Sequence, residues 1–451
     1  MKYTNLSLRI LPIALLAVVM VFAIAACKDT PQSEGKFVGL AAYMEQVKTA
    51  QFSNFKALPD AKVLNEAEFE KMKAHVLKMY DGVTAQHSFK DTDGRYVDCI
   101  PVAQQPSVRL LGIAPDQLDT QAPEPNKSEA ADPSLNESED FDADVKLRTN
   151  RFDQFDNEKY CPPGFIPMQR IELNDMIRFE TLDNFFSKDG LGGGAELFEE
   201  ITDRVPSHYY AHAYQAVNNY GGDSWLNLWN PTVATNQMSL SQQWYVGGSG
   251  AGLQTVEGGW QNYPTKYGNT KSRLFIYYTK ANYTPGSGYY NLDGPGFVQT
   301  NNTIVLAGSF ANYSVSGGTQ YEFGMQWKRA SNGNWWLYYK SGSTTTALGY
   351  YPKSLYGTGQ LASFAQRADF GGETTGDPSS KRMGSGAFAS AGWQYAAYQR
   401  NNFYINTSSA SVWANLTPTS TPASCYTIAY TGPTGTGSWV EYFYYGGPSC
   451  Y

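Results

Sequence analysis

The chain reads as a mostly β protein: an antiparallel β-sandwich over residues 206–451, preceded by a partly helical, partly disordered N-terminal region. Three observations carry that expectation. Downstream of Pro206, short runs rich in Tyr, Trp, Val and Thr recur between clusters of Gly, Asn and Ser, at the spacing of strands joined by turns. Aromatics reach 15% of the chain while charged residues fall to 17%, and 43 glycines supply turns. Upstream, apolar residues instead return at helical spacing with charges between them.

At the N-terminus, Lys2 and Arg9 precede an apolar run, Leu11 to Ala26, too short for a comfortable membrane span. It ends in Ile24-Ala25-Ala26-Cys27, which resembles a bacterial lipobox. The resemblance implies a signal peptide over residues 1–26, lipidation of Cys27 and a place in the bacterial cell envelope. Secretion with cleavage near Ala23-Ile24-Ala25 is the plainer alternative. Either route takes the chain to a compartment where disulfides persist. Cys99, Cys161, Cys425 and Cys450 allow three pairings. Charge and spacing suggest one bridge in each half, Cys99–Cys161 and Cys425–Cys450, and the absence of any CxxC disfavours a metal site.

Residues 27–114 contain two helical patterns, Phe37 to Leu58 and Glu66 to Met79, and a β-like run from Arg95 to Val102. Residues 115–158, rich in Pro, Ser, Asn, Asp and Glu, hold few large apolar groups, so a disordered acidic linker is expected. Order resumes over 159–205, with a helix from Glu172 to Ser187 and then Gly190-Leu191-Gly192-Gly193-Gly194, a protease-accessible junction. From Pro206, strand signals cover Tyr209–Val217, Trp225–Trp229, Ser241–Val246, Leu253–Gln261, Arg273–Ala281, Gly296–Gln299, Tyr321–Lys328, Asn334–Lys340 and Ala347–Tyr351.

Charge divides the chain the same way. Residues 1–204 carry 22 Lys+Arg against 33 Asp+Glu, whereas 205–451 carry 12 against 8. No concentrated basic stripe offers itself to nucleic acid. The β half has two histidines, His208 and His212, and no P-loop or dinucleotide fingerprint, so carboxylates are its main chemical resource. Of eight, Glu257 and Glu373 stand apart: each lies among Gly, Trp or Phe with no cation within several residues. Burial would raise the pKa of such a group unless a partner offsets it. The plainer reading of both is an exposed strand or turn glutamate.

The motifs around these two glutamates resemble the neprosin family of glutamic peptidases. The matching stretches include Ser239-Leu240-Ser241-Gln242-Gln243-Trp244, Glu257-Gly258-Gly259-Trp260-Gln261, Arg273-Leu274-Phe275, Tyr290-Asn291-Leu292, Gly333-Asn334-Trp335-Trp336-Leu337, Gly371-Gly372-Glu373 and Tyr444-Tyr445-Gly446-Gly447-Pro448. Upstream, Asp98-Cys99-Ile100 and Cys161-Pro162-Pro163-Gly164 resemble the family's activation-peptide region. The similarity spans residues 85–451 apart from the acidic insert.

That resemblance implies Glu257 and Glu373 as the catalytic pair, a sandwich fold, and cleavage after proline under acid conditions. Tyr289 and Gly294 stand where plant members have cysteines, so proline preference is less secure than catalysis. No cofactor or metal is implied. The expected partners are a peptide substrate, the chain's own N-terminal region acting as a latency segment, and a membrane reached through lipid at Cys27. Gln242, Trp244, Trp260, Trp335 and Trp336 are the candidate substrate-binding residues, the tryptophans as walls of an apolar cleft. A carbohydrate-active or carbohydrate-binding sandwich is the alternative, since aromatics and two carboxylates serve that chemistry as well.

Overall fold

In a computed structural model of the chain, the described residues are 37–127, 160–188, 208–235, 237–376, 382–433 and 439–448. The apolar leader, Cys27, residues 128–158 of the expected linker, the Gly190–Gly194 junction and Cys450 lie outside them. The chain divides into two units, Met1–Val38 and Gly39–Tyr451. The second unit therefore holds both the N-terminal region and the β half in one body. Only Phe37 and Val38 of the first unit are described.

The helices are α1 (Leu40–Thr49), α2 (Phe52–Lys56), α3 (Glu66–Tyr80), α4 (Pro106–Leu110), α5 (Leu173–Met176), α6 (Leu182–Phe186) and α7 (Pro264–Tyr267). The pattern from Phe37 to Leu58 becomes two helices, because Ala50 and Gln51 adopt extended backbone between them. α3 starts on the Asn65 side chain, which accepts from the Glu68 N–H, and buries Phe69, Met72, Val76 and Met79. The expected helix from Glu172 to Ser187 is instead α5 and α6, the second capped by the Thr181 side chain.

Three strands of the N-terminal region, β1 (His87–Lys90), β2 (Tyr96–Pro101) and β3 (Phe165–Gln169), form a small antiparallel sheet. The Cys99–Cys161 disulfide closes a loop between residues 62 apart in sequence. Cys425 is also disulfide-bonded, to a partner outside the described residues. Residues 115–127 depart from the expectation of disorder. They lie on the β half, held by hydrogen bonds to their main chain and by Leu118 and Ala122, which pack half-buried on Trp336, Tyr338 and Tyr350.

The remaining strands are β4 (His208–Asn227), β5 (Ser239–Gly247), β6 (Gln254–Asn262), β7 (Arg273–Thr279), β8 (Gly288–Tyr290), β9 (Val298–Gln299), β10 (Glu322–Arg329), β11 (Trp335–Ser341), β12 (Thr344–Tyr351), β13 (Ala365–Thr375), β14 (Ala397–Asn406), β15 (Ser411–Trp413), β16 (Thr417–Thr421), β17 (Thr427–Thr431) and β18 (Tyr442–Gly446). They join in one antiparallel network whose main path is β8-β7-β6-β5-β13-β4-β10-β11-β12-β9. β4 runs through both halves of that path, pairing with β13 up to Asn219 and with β10 from Gly221 on. There the sheet folds over on itself into a sandwich.

Contacts between the layers identify the inner faces. The Gln243 side chain reaches Ser224 Oγ and the Met325 carbonyl, and the Trp260 indole donates to the Asn227 carbonyl. Gly259 leaves room for the neighbouring strand, since a Cβ there would lie 1.9 Å from the Ser241 carbonyl oxygen. Successive side chains alternate between faces. The outer face of the β6-β5-β13 layer therefore carries Glu257, Gln242, Trp244 and Glu373, which the register sets on the same side. The outer face of the other layer carries Gln326, Lys328, Trp336, Tyr338 and Tyr350.

The N-terminal region covers both outer faces. Asp93 pairs with fully buried Arg273 and with Lys271, while Arg95 and Arg178 donate to the carbonyls of Thr265, Lys266 and Tyr267 in α7. Opening Cys99–Cys161 removes a constraint on a long loop, worth about 4 kcal/mol by the chain-entropy relation. The double variant Cys99→Ser, Cys161→Ser is expected to lose that stability in urea denaturation of the full-length protein. An unchanged midpoint would remove the bridge from the account of how this region is held.

Candidate active site

Glu257 stands in the middle of β6 and Glu373 near the end of β13, with β5 between them. Neither side chain is exposed at all. Their surroundings follow one plan. Each carboxylate has one oxygen tied to the β half and the other turned toward a shared cation from the N-terminal region.

For Glu257, Oε1 accepts from Thr255 Oγ1 and from the Tyr283 hydroxyl, both at 2.7 Å. For Glu373, the Nδ1 of His208 lies 2.5 Å from Oε1, and the Tyr210 hydroxyl also hydrogen-bonds the carboxylate. Glu373 Oε2 accepts from Gln242 Nε2 at 3.1 Å. The Lys188 ammonium sits between the two Oε2 atoms, 2.7 Å from each. Two contacts of that length to one nitrogen leave those oxygens no more than 5.4 Å apart.

Lys188 follows α6, and the β half grips the main chain leading to it. The Phe185, Phe186 and Lys188 carbonyls accept from Lys266 Nζ, the Tyr277 hydroxyl and the Tyr290 hydroxyl respectively. Phe186 packs edge-on against Tyr289 and His75.

The electrostatics follow from this enclosure. Burial pushes the Glu373 carboxyl up, but the Lys188 charge and the His208 hydrogen bond outweigh it, carrying the group from 4.5 down to about 2. Burial pulls the Lys188 ammonium down; the two carboxylates overcompensate and leave it above its ordinary value. Burial, with the charges of Glu373 and Glu257 added, drives the Tyr210 hydroxyl well up, so it stays a neutral donor. No group of His, Cys, Asp and Glu suited to a metal ion occurs among the described residues.

The other sequence candidates separate. Gln242 and Trp244 share the face of the two glutamates, Trp244 stacking on His212 with centroids 5.3 Å apart. Trp260 and Trp335 do not wall this cleft. Both are fully buried between the layers, where Trp335 stacks on Tyr245 and donates to the Leu361 carbonyl. Trp336 is buried on the outer face of the opposite layer. Strand alternation accounts for all three: each has the parity opposite to, or the layer remote from, the glutamates.

Sequence reasoning missed Lys188, His208, Tyr210, Thr255 and Tyr283. The one cue for Lys188 was a cation in Ser187-Lys188 directly before the glycine-rich junction. His208 carries no cue in the sequence, where it stands beside Tyr209 and Tyr210.

The pH behaviour of the Lys188 cluster follows from the direction of these shifts. Glu373 is depressed in the folded state, so its contribution is present above about 4.5 and is lost as pH falls through about 2. In Lys188→Met, two carboxylates stay buried with no cation, costing about 3–5 kcal/mol at neutral pH. Protonation relieves that repulsion, so this variant gains stability on going from pH 7 to pH 4. The wild type gains none from this site and weakens as pH falls further. Thermal melts of both proteins across pH 2–7 test this, and parallel profiles would refute it.

Residues 235–448 match the Neprosin family model. Among solved structures, scytalido-glutamic peptidase with a peptide-based transition-state analogue is similar at 9% identity, covering 54% of this chain and 99% of that one, with a TM-score of 0.29. SCP-B, a member of the eqolisin family of peptidases in complex with the tripeptide Ala-Ile-His, is similar at 7% identity, covering 53% and 97%, with a TM-score of 0.27.

Proposed function

We propose that this chain, whose residues 235–448 match the Neprosin family model, is a glutamic endopeptidase, made latent and working in acid through Glu257 and Glu373. The observation that carries the proposal is the pair of facing Oε2 atoms, held no more than 5.4 Å apart around one cation. Without that cation, two carboxylates about 5 Å apart repel by about 3 kcal/mol at an effective dielectric near 20. In acid they share one proton.

The surroundings support a division of roles. Glu373 keeps His208 at Oε1 after Lys188 leaves, so it stays ionised and takes a proton from the attacking water. Glu257, whose Oε1 receives only neutral hydroxyls, carries the shared proton and donates to the scissile carbonyl oxygen as the water oxygen bonds to carbon. In collapse the carbon–nitrogen bond breaks, the proton taken by Glu373 passes to the leaving nitrogen, and one hydroxyl of the diol returns its proton to Glu257, which leaves a carboxylic acid and restores the pair. Gln242 Nε2 is a donor for the developing oxyanion. Lys266, Tyr277 and Tyr290, which grip carbonyls of residues 185–188, would grip substrate main chain in the same way.

The same geometry supports the reading of a latent precursor. Lys188 fills the position of water and carbonyl, so the full-length chain is closed to substrate. Acid protonates the carboxylates, frees the lysine and permits cutting in the stretch 189–207. The chain is exported and held to the envelope by lipid on Cys27, and its substrates are peptides, with proline before the cut bond as the first preference to test.

Acid-processed protein is expected to cleave a quenched proline-containing peptide at pH 3–5. Glu257→Gln and Glu373→Gln, each with an unaltered circular dichroism spectrum, should each lose at least about 100-fold in kcat. Full activity in either variant would end the assignment. Cys27→Ser should move the protein from the detergent phase to the aqueous phase in phase partition; equal partition would remove the anchor.

A further inference from the structure

We propose that the outer face of the β10-β11-β12 layer is a second peptide site, a groove for extended, proline-bearing segments of other polypeptides. In this form the chain's own residues 118–127 fill it. The proposal goes beyond the peptidase reading and rests on it in one respect, that the N-terminal region comes away.

The groove reads main chain. Tyr350 Oη accepts from the Asp119 N–H at 3.0 Å, and Tyr338 Oη donates to the Pro123 carbonyl at 2.5 Å. Lys328 Nζ donates to the Glu124 carbonyl at 2.6 Å, and Ser411 Oγ to the Lys127 carbonyl at 2.7 Å. The Gln326 amide takes both main-chain groups of Asn126, accepting from its N–H at 2.7 Å and donating to its carbonyl at 2.8 Å. Gln326 is itself fixed by a bond to Asp223. Of the segment's own side chains, Leu118 and Ala122 pack against the cluster of Trp336, Tyr338 and Tyr350, Asp119 meets Asn332 and Asn334, and Asn126 meets Ser409 and Ser411.

The register of these contacts suits proline. Positions 123 and 125 are prolines, and at position 123 the groove takes the carbonyl alone. The segment belongs to no strand, so it is held by side chains of the sheet and not by strand addition. Beneath it lie Trp336, Tyr338 and Tyr350, each no more than 2% exposed, although none of residues 118–127 is itself buried. Aromatic floors with fixed polar groups at the rim are how proteins bind polyproline-type chains, which arrive already extended and lose little entropy. Next to Tyr350 the face opens into a cavity of about 360 Å³ lined also by Asn334, Pro352 and Lys353, which gives the track room to continue. The two glutamates lie on the outer face of the other layer, so filling this groove does not compete with filling the cleft.

The test uses the full-length chain with residues 118–127 replaced by a Gly/Ser stretch of equal length. Fluorescein-labelled peptides are titrated by anisotropy: residues 113–127, an unrelated proline-rich sequence, and its Pro→Ala version. The replaced chain should bind the first two and favour proline over alanine, while the intact chain binds none. Adding Gln326→Ala or Tyr338→Phe should weaken binding by about tenfold. If a cooperatively melting replaced chain binds nothing, or binds only residues 113–127, the proposal is overturned. Should the replacement fail to fold, acid-processed enzyme with and without Gln326→Ala takes its place under the same criteria. Binding is read without turnover, so an inactive chain that binds refutes only the peptidase reading. An active enzyme that does not bind refutes only the groove.

Discussion

One ion cluster governs this structure: the Lys188 ammonium between Glu257 and Glu373. Two carboxylates with no solvent exposure would repel each other in a low-dielectric site, and a cation delivered there relieves both at once. The sandwich supplies rigid seats for the acids, on strands separated by β5 alone. The N-terminal region supplies the cation at the end of a segment whose carbonyls the sheet already holds. Fold, charge and closure therefore meet at a single nitrogen atom.

The direction of that charge is the reverse of what bulk composition suggests. The N-terminal half is acidic and the β half mildly basic, and at Asp93 with Lys271 and Arg273 the contact does have that polarity. At the site itself the acidic half contributes the base and the basic half the two acids. Net charge describes long-range attraction between the parts. It does not locate the contact that closes the cleft.

Much of the sandwich was legible because Tyr, Val and Trp runs between turn residues mark strands, and the runs around Ser241, Leu253, Arg273, Tyr321 and Asn334 became β5, β6, β7, β10 and β11. β13 was not read as a strand. Its Ala-Asp-Phe-Gly-Gly-Glu sequence lacks alternation, and Gly371 takes a positive φ of 152° that weakens any strand signal. The two glutamates stood out because their neighbours are uncharged. What brings Lys188 and His208 to them acts over sequence separations of 69 to 185 residues, which no local pattern reports. Residues 115–127 escape composition for a related reason: composition counts what a segment can bury by itself, whereas this one is ordered by what the sheet offers to its main chain and to the few apolar groups, Leu118 and Ala122, that it has.

The depth of the Lys188 cluster also decides which solution variables can act on it. With the lysine side chain 4% exposed and both glutamates at zero, mobile ions have no access to the gap between the charges. Screening over a Debye length weakens exposed pairs and leaves enclosed ones nearly intact. Ionic strength therefore has little purchase on this cluster, and a brine at neutral pH leaves its three charges paired; the proton, which bonds to a carboxylate oxygen instead of screening it, is the ion that changes their balance.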